Sequence, residues 1–491
     1  MSAEMLLDLP DRVLSTLARR GRSTYSFPIA GDDTRVASVC ARHDCRMRAK
    51  DIMQPIDAAS ASTAEAPMSA TQVLAVATCV LLNAVDGFDV LSISFAAPGI
   101  AAEWGIDRAA LGVVLSLELI GMGVGSILLG RAADAIGRRP TIFICLALMA
   151  IGMCAAALSG GIELLAAARL VTGVGIGGVV ASINAIVAEH SNSKNRTLAV
   201  TTMAAGYPIG AVLGGAIAST LLAEMSWRAI FVLGLAATTA LVPLVWMLLP
   251  ESIEYLLRKR PRGALERVNR VLLRMQRAPL KALPPAPPQS PREGVAQLFS
   301  APLLGRTLLL TCAYFMFMMP FYFLLKWIPK IVVDMGYAPG AAAGVLVSAN
   351  VGGAVGSILL GLLSHKFEVR TLVVSTLFLA AVSLFSFGLV QSGIATLSLA
   401  AMITGFFSTA ALVGVYAMVA SAFPTEARAS GTGLVIGVGR AGAAAGPVAA
   451  GVLFAMGHGL PIVALVMALG SVVAALLLTR LPRDAAYASR T

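Results

Sequence analysis

"LGVVLSLELIGMGVGSILLGRAADAIGRR", residues 111–139, falls into two parts of opposite character. Leu111 to Leu129 holds one charged residue, Glu118, in an otherwise apolar run. Gly130 to Arg139 holds three arginines, one aspartate and two glycines. A run of about 20 predominantly apolar residues is long enough to cross a bilayer as a helix. The arginine-rich stretch then reads as a short loop retained on the cytoplasmic side, and apolar sequence resumes after Pro140 to cross back. The stretch is a membrane hairpin, and it sets the class of the whole chain.

The rest of the chain repeats that pattern. Of its 491 residues, 57% are hydrophobic and 13% charged, with a mean hydropathy of +0.83. Soluble domains average about 45–50% apolar and about 25% charged residues. The length rule predicts twelve spans, at roughly 71–98, 109–131, 140–160, 163–187, 199–223, 228–249, 304–331, 339–363, 371–391, 394–421, 430–455 and 459–479. The expected fold is therefore an all-α membrane protein embedded in the lipid bilayer. With the N-terminus inside, the inside loops and tail carry Arg131, Arg138, Arg139, Lys194, Arg196, Lys366, Arg370, Arg428, Arg480, Arg483 and Arg490. The outside loops offer little beyond Arg108 and Arg228. Both termini are expected in the cytoplasm, at a bacterial inner membrane. The net charge of +11 follows from these loops, so no nucleic-acid partner is expected.

Five segments follow from the pattern. Residues 1–68 are polar, lack an apolar signal-peptide core and read as a disordered tail, with Met53 a second possible start. Residues 69–249 and 304–480 are two sets of six spans. Residues 481–491 are a short tail. The central loop, 250–303, places Leu265, Val268, Leu272 and Met275 on one helical stripe among arginines. Such a stripe can lie on an anionic leaflet, but a solvated connector is the plainer expectation, and "PPAPPQSP" at 284–291 reads as linker. Cys40 and Cys45 flank His43, with no second pair to complete a zinc site. No metal and no cofactor are expected.

The two six-span sets resemble each other. "GRAADAIGRR" at 130–139 has a counterpart in "GLLSHKFEVR" at 361–370, and "GAVLGG" at 210–215 one in "GPVAAG" at 446–451. Two six-helix pseudo-repeats enclosing a substrate site are the design of many secondary transporters. In this frame "GRAADAIGRR" resembles the loop 2–3 signature of the major facilitator superfamily, with Gly130, Asp134, Gly137, Arg138 and Arg139 all matching. "RLVTGVGIGG", from Arg169, resembles the fourth-helix motif of its proton-coupled members, and Glu189 belongs to the extended form of that pattern. "PES" at 250–252 is also common after the sixth helix. "DGFD" at 86–89 resembles the first-helix signature of the aromatic acid:proton symporters. That resemblance implies that Asp86 and Asp89 are needed for transport. It covers about residues 70–480. The second loop has His365 where the first has Asp134, so the halves need not latch alike. Ala211 stands where drug antiporters would carry proline, which argues against export.

Six ionisable residues lie well inside the expected spans: Asp86, Asp89, Glu118, Arg169, Lys326 and Arg440. Each charge at the bilayer centre costs about 2.5–3.5 kcal/mol on insertion scales. Three acids and three bases can neutralise one another in a closed cavity. An arriving carboxylate adds one negative charge, and a proton on one acid restores the balance. Asp86 and Asp89, three residues apart on one helical face, therefore form a candidate proton site, with Arg169 tuning it and Glu118 the next candidate to carry the proton. Arg440 or Lys326 could hold the substrate carboxylate, Arg440 bidentately, although Lys326 could instead snorkel outward. Tyr314, Phe315, Tyr322, Trp327 and Tyr416 could line an aromatic wall. Asp134 and Arg138 are expected at the cytoplasmic gate, bonding across the halves in one state only.

The expected function is proton-coupled import of an aromatic carboxylic acid by a functional monomer, its partners being the acid anion, protons and lipid. The alternatives are a transporter of another organic anion, a sugar-porter relative, or a membrane receptor for aromatic acids. No nucleophile–base pair or phosphate loop marks an enzyme.

Overall fold

A computed structural model describes residues 68–192, 195–284, 295–391, 393–424 and 427–481. The expectations on Cys40, His43, Cys45, Met53, Lys194, residues 285–291 and the tail from 482 lie outside the described residues. Among the described residues, twelve helices are long and apolar enough to cross a membrane, and there is no strand. The first six are α1 (Ala70–Trp104), α2 (Arg108–Ile136), α3 (Arg138–Ala157), α4 (Ile162–His190), α5 (Arg196–Glu224) and α6 (Arg228–Leu248). Two short helices follow, α7 (Ile253–Lys259) and α8 (Ala264–Arg274). The second six are α9 (Ala301–Asp334), α10 (Pro339–Leu363), α11 (Val369–Leu389), α12 (Ile394–Ala422), α13 (Arg428–Ala455) and α14 (Leu460–Thr479).

The ends of the helices follow local chemistry. Ser69 and Gln72 form a capping box that starts α1, and the Gln72 amide donates to the His190 carbonyl at the end of α4 (2.7 Å). α1 runs past its expected end at 98, because Ala101, Ala102 and Glu103 are good helix formers. It stops at Gly105, which takes a left-handed conformation with φ 61°. Asp107 caps α2 by accepting from the Ala110 amide at 2.6 Å.

Small residues let the helices meet at their backbones, which is how helices associate in lipid. Gly121 and Gly125 of α2 lie against Leu170 and Val174 of α4, and Gly352 and Gly356 of α10 against Met402 and Phe406 of α12. Likewise Gly87 of α1 lies against Tyr207 of α5, and Gly442 of α13 against Phe315 of α9. The pairings α2/α4 and α1/α5 thus recur as α10/α12 and α9/α13. This is the duplicated six-helix unit.

The halves join through α2 against α13 and α5 against α10. Ser116 Oγ donates to the Ala444 carbonyl (2.7 Å), Ser219 Oγ donates to the Gly340 carbonyl (2.7 Å), and Arg108 pairs with Asp334 at 3.0 Å. All these contacts gather toward one end of the bundle, the end that carries Arg108.

The central segment departs from expectation. The buried face of α8 is Ala264, Val268 and Val271, with Met275 just beyond, rather than the stripe through Leu265 and Leu272. That face is turned onto the protein, not to solvent or lipid. Asn269 holds the following chain back along the helix, donating to the Leu280 carbonyl at 3.0 Å and accepting from the Leu280 amide at 2.7 Å.

Candidate functional site

Glu118 of α2 is fully buried between two cations. One carboxylate oxygen accepts from the Arg169 guanidinium of α4, the other from Lys326 Nζ of α9 at 3.0 Å, and all three side chains are wholly buried. Arg169 also donates to the Asp89 carbonyl at 3.0 Å, approaches Met153 Sδ at 3.4 Å and lies over the Phe231 ring at 5.5 Å. Lys326 also donates to the Val90 carbonyl. Lys326 does not snorkel outward. It is Lys330 that lies nearer the Arg108 end, paired with Asp334.

The aspartates of α1 fare differently. Asp89 is fully buried. One of its carboxylate oxygens accepts a long bond from Thr238 at 3.4 Å, and the other has no hydrogen-bond partner among the described residues. Asp86 is 1% exposed, and neither of its carboxylate oxygens has a hydrogen-bond partner among the described residues. Arg169 hydrogen-bonds the Asp89 backbone carbonyl and reaches the Asp89 carboxylate only through its charge. Besides Asp89, the charges within electrostatic reach of Asp86 are Arg440 and Glu118. Arg440, half-buried on α13, makes no hydrogen bond or ion pair among the described residues.

Tyrosines surround these groups. Tyr314 and Tyr416 share a hydrogen bond at 3.0 Å, with ring centroids 5.7 Å apart. Tyr322 lies within electrostatic reach of Arg440, Tyr416, Glu118 and Asp86. A residue not expected from the sequence, Tyr207 of α5, lies within electrostatic reach of Tyr322, Asp86, Glu118 and Arg440. Trp327, by contrast, donates to the Pro447 carbonyl at 3.1 Å and packs on Phe454 at 5.0 Å. It is a packing residue of the Arg108 end. Among the described residues no cluster of His, Cys, Asp and Glu could hold a metal ion.

The other end is organised by Glu251 of "PES". Its carboxylate accepts from the amides of Arg138 (2.9 Å) and Arg139 (3.3 Å), capping α3. Gly137 at φ 109° makes the approach possible, since a Cβ there would lie 2.6 Å from the Glu251 carboxylate. The Arg138 side chain lies 3.4 Å from Glu189 and 3.9 Å from Glu254. Ser252 Oγ donates to Glu189 at 2.7 Å. Gly130 has open space, its nearest neighbour being the Ala181 methyl at 3.9 Å. Asp134 is exposed and unpaired among the described residues.

The family model of the Major Facilitator Superfamily matches residues 79–366 and 338–491. The chain belongs to the major facilitator superfamily. Within this superfamily of transporters it is 30% identical to the gallate transporter of Pseudomonas putida, over 84% of this chain and 92% of that one. It is 31% identical to the 3-(3-hydroxy-phenyl)propionate transporter of Escherichia coli, over 80% of this chain and 89% of that one. It is 30% identical to the 4-hydroxybenzoate transporter PcaK of Acinetobacter baylyi, over 78% and 85%. The expected kinship with aromatic acid transporters is thus met. Among solved structures, the xylose transporter XylE from E. coli, in a partially occluded inward-open conformation, superposes with a TM-score of 0.68. The match covers 85% of this chain and 99% of that one at 16% identity, and so concerns the fold alone.

Within the superfamily fold, the structure brings Asp86, Asp89, Glu118, Arg169, Lys326, Tyr322 and Arg440 into one central region, with Tyr416 joined to it through Tyr314. It keeps Gly130, Asp134, Gly137, Arg138, Arg139 and Glu189 together at the basic end. Among the described residues Arg138 pairs with Glu189 of its own half and with Glu251 and Glu254 of the central segment, and not with the second half. Tyr207 and Glu251 escaped the sequence. The cue for Tyr207 was a lone tyrosine before Pro208 within an apolar span, and for Glu251 an acid placed to cap a helix that begins with two arginines.

Proposed function

We propose that this chain is a proton-coupled importer of an aromatic carboxylate, working by alternating access as a monomer. The observation that carries the proposal is an imbalance of partners. Glu118 engages two cations, while among the described residues the carboxylates of Asp86 and Asp89 form no ion pair and neither does Arg440. A buried ion without a partner costs several kcal/mol. Asp86 and Asp89 are therefore the carboxylates placed to take and release a proton, and Arg440 is placed to take a carboxylate. An aromatic acid fits: its anion meets Arg440, and its ring meets Tyr207, Tyr314, Tyr322 and Tyr416. The gallate, hydroxyphenylpropionate and hydroxybenzoate transporters among the relatives support this class of substrate.

Anion and proton favour each other at such a site, because each cancels the charge the other brings. The basic loops support an orientation with Arg138 on the cytoplasmic side. The end closed in this structure then faces outward, and the site delivers inward. When the basic end closes, Asp134 takes a partner in the second half and Arg138 leaves Glu189 and Glu254 to do the same. Proteoliposomes with an acidic exterior test the proposal against a panel of labelled benzoate, 4-hydroxybenzoate, gallate and xylose. Aromatic acids should accumulate and xylose should not. Accumulation of xylose alone, or binding of aromatic acids with no accumulation, refutes it.

A further inference from the structure

We infer that Glu118 is an internal competitor for the substrate carboxylate: it holds Lys326 while the Arg108 end is closed and surrenders it to the incoming anion when that end opens. The inference rests on the aromatic-carboxylate proposal and assigns Lys326 and Glu118 their parts in it.

The geometry of the ion pair is asymmetric. Lys326 belongs to the second half, and its polar partners among the described residues, Glu118 and the Val90 carbonyl, both belong to the first. Glu118 has a second cation, Arg169, within its own half. Parting the halves at the Arg108 end therefore strips Lys326 of both partners at once but leaves Glu118 paired. A buried ammonium without a partner is costly, and a carboxylate is the group that relieves it.

Lys326 is also placed to receive one. It follows Tyr322 by four residues on α9, so the two side chains share a helical face one turn apart, and Tyr322 lies within electrostatic reach of Arg440 and Asp86. The same parting withdraws α13 from Ser116, which donates to Ala444 at 2.7 Å, one turn along α13 from Arg440. The outward-facing site thus presents two cations, Lys326 and Arg440, to the anion. On closure Glu118 retakes Lys326, and the substrate is left on Arg440 alone. Its grip is loosened on the side where it must be released. A phenol without a carboxylate gains nothing from a freed Lys326, so the pair also selects for acids.

The test measures binding of 4-hydroxybenzoate and 4-hydroxybenzyl alcohol to the purified full chain, with thermal unfolding on the same samples. Glu118→Gln frees Lys326 permanently. It should tighten 4-hydroxybenzoate about tenfold, as when a competent fraction of about a tenth becomes nearly the whole population, with no gain for the alcohol. The Glu118→Gln/Lys326→Gln double variant should lose that gain. A folded Glu118→Gln protein with unchanged or weaker affinity overturns the inference. If that variant does not survive purification, Glu118→Asp keeps the charge but draws it back from Lys326. It should tighten the acid in the same direction by a smaller factor, and unchanged affinity there overturns the inference equally. If the unaltered chain binds no aromatic acid, the proposed function falls and this inference with it. Binding by the unaltered chain without tightening in the variants sinks the inference alone.

Discussion

Replacing Asp86 by asparagine separates a proton site from a structural ion pair. Both carboxylate oxygens of Asp86 are buried and without a hydrogen-bond partner among the described residues, so the substitution breaks none of the hydrogen bonds there. An amide has the shape of a protonated carboxyl, and the stability change should stay within about 1 kcal/mol. Removing one member of a buried ion pair instead costs about 3–5 kcal/mol, which is the expectation for Glu118→Gln with Arg169 and Lys326 left facing each other. Transport should move the opposite way. One coupled proton converts a gradient of about one pH unit into about 1.4 kcal/mol, or roughly tenfold accumulation. Asp86→Asn should lower that ratio to about one while exchange of internal for external substrate continues. Thermal unfolding and uptake under an imposed gradient, on one purified preparation, read both quantities. A stable Asp86→Asn protein that still accumulates substrate about tenfold refutes the argument, and so does a loss of stability as large as that of Glu118→Gln.

Other positions give sharper local tests. Gly137→Ala forces a side chain into the left-handed region at φ 109° against the Glu251 carboxylate, and should cost about 1–3 kcal/mol in thermal unfolding and slow transport. Arg440→Lys keeps the charge but loses the forked geometry, and should weaken substrate binding about tenfold or more, while Arg440→Gln abolishes it. Asp134→Asn should leave unfolding of the purified protein unchanged, because Asp134 has no partner among the described residues, yet slow transport when the basic end must close. A cysteine replacing Gln276, which follows α8, should be labelled in intact cells only by reagents that cross the membrane. Labelling by an impermeant reagent overturns the orientation.

The twelve spans were legible because apolar length is a local property, and so was the repeat, since its glycines and arginines recur in sequence. The charges of the central region were legible as a set but not as pairs. Which cation Glu118 takes depends on how α2, α4 and α9 pack, and both Arg169 and Lys326 reach it. The burial of Lys326 was equally hidden. Its place near one end of a long span allowed snorkelling until α1 supplied the Val90 carbonyl. Tyr207 gave no charge signal, and its position follows from the close approach of α5 to Gly87. The buried face of α8 is set by the tether of Asn269 to Leu280, a contact that periodicity does not record.

The central claim is that Asp86 and Asp89 exchange the proton that accompanies the substrate anion. Adding 4-hydroxybenzoate to the purified full chain in weakly buffered solution tests it directly, starting above the pH at which Asp86 and Asp89 have lost a proton in the free protein. Binding should draw about one proton per bound anion from solution, raising its pH, by the reciprocal linkage of two ligands that favour each other. The Asp86→Asn/Asp89→Asn protein should bind without drawing any. Saturable binding to the unaltered chain with no proton uptake at any pH where the substrate is ionised contradicts the account.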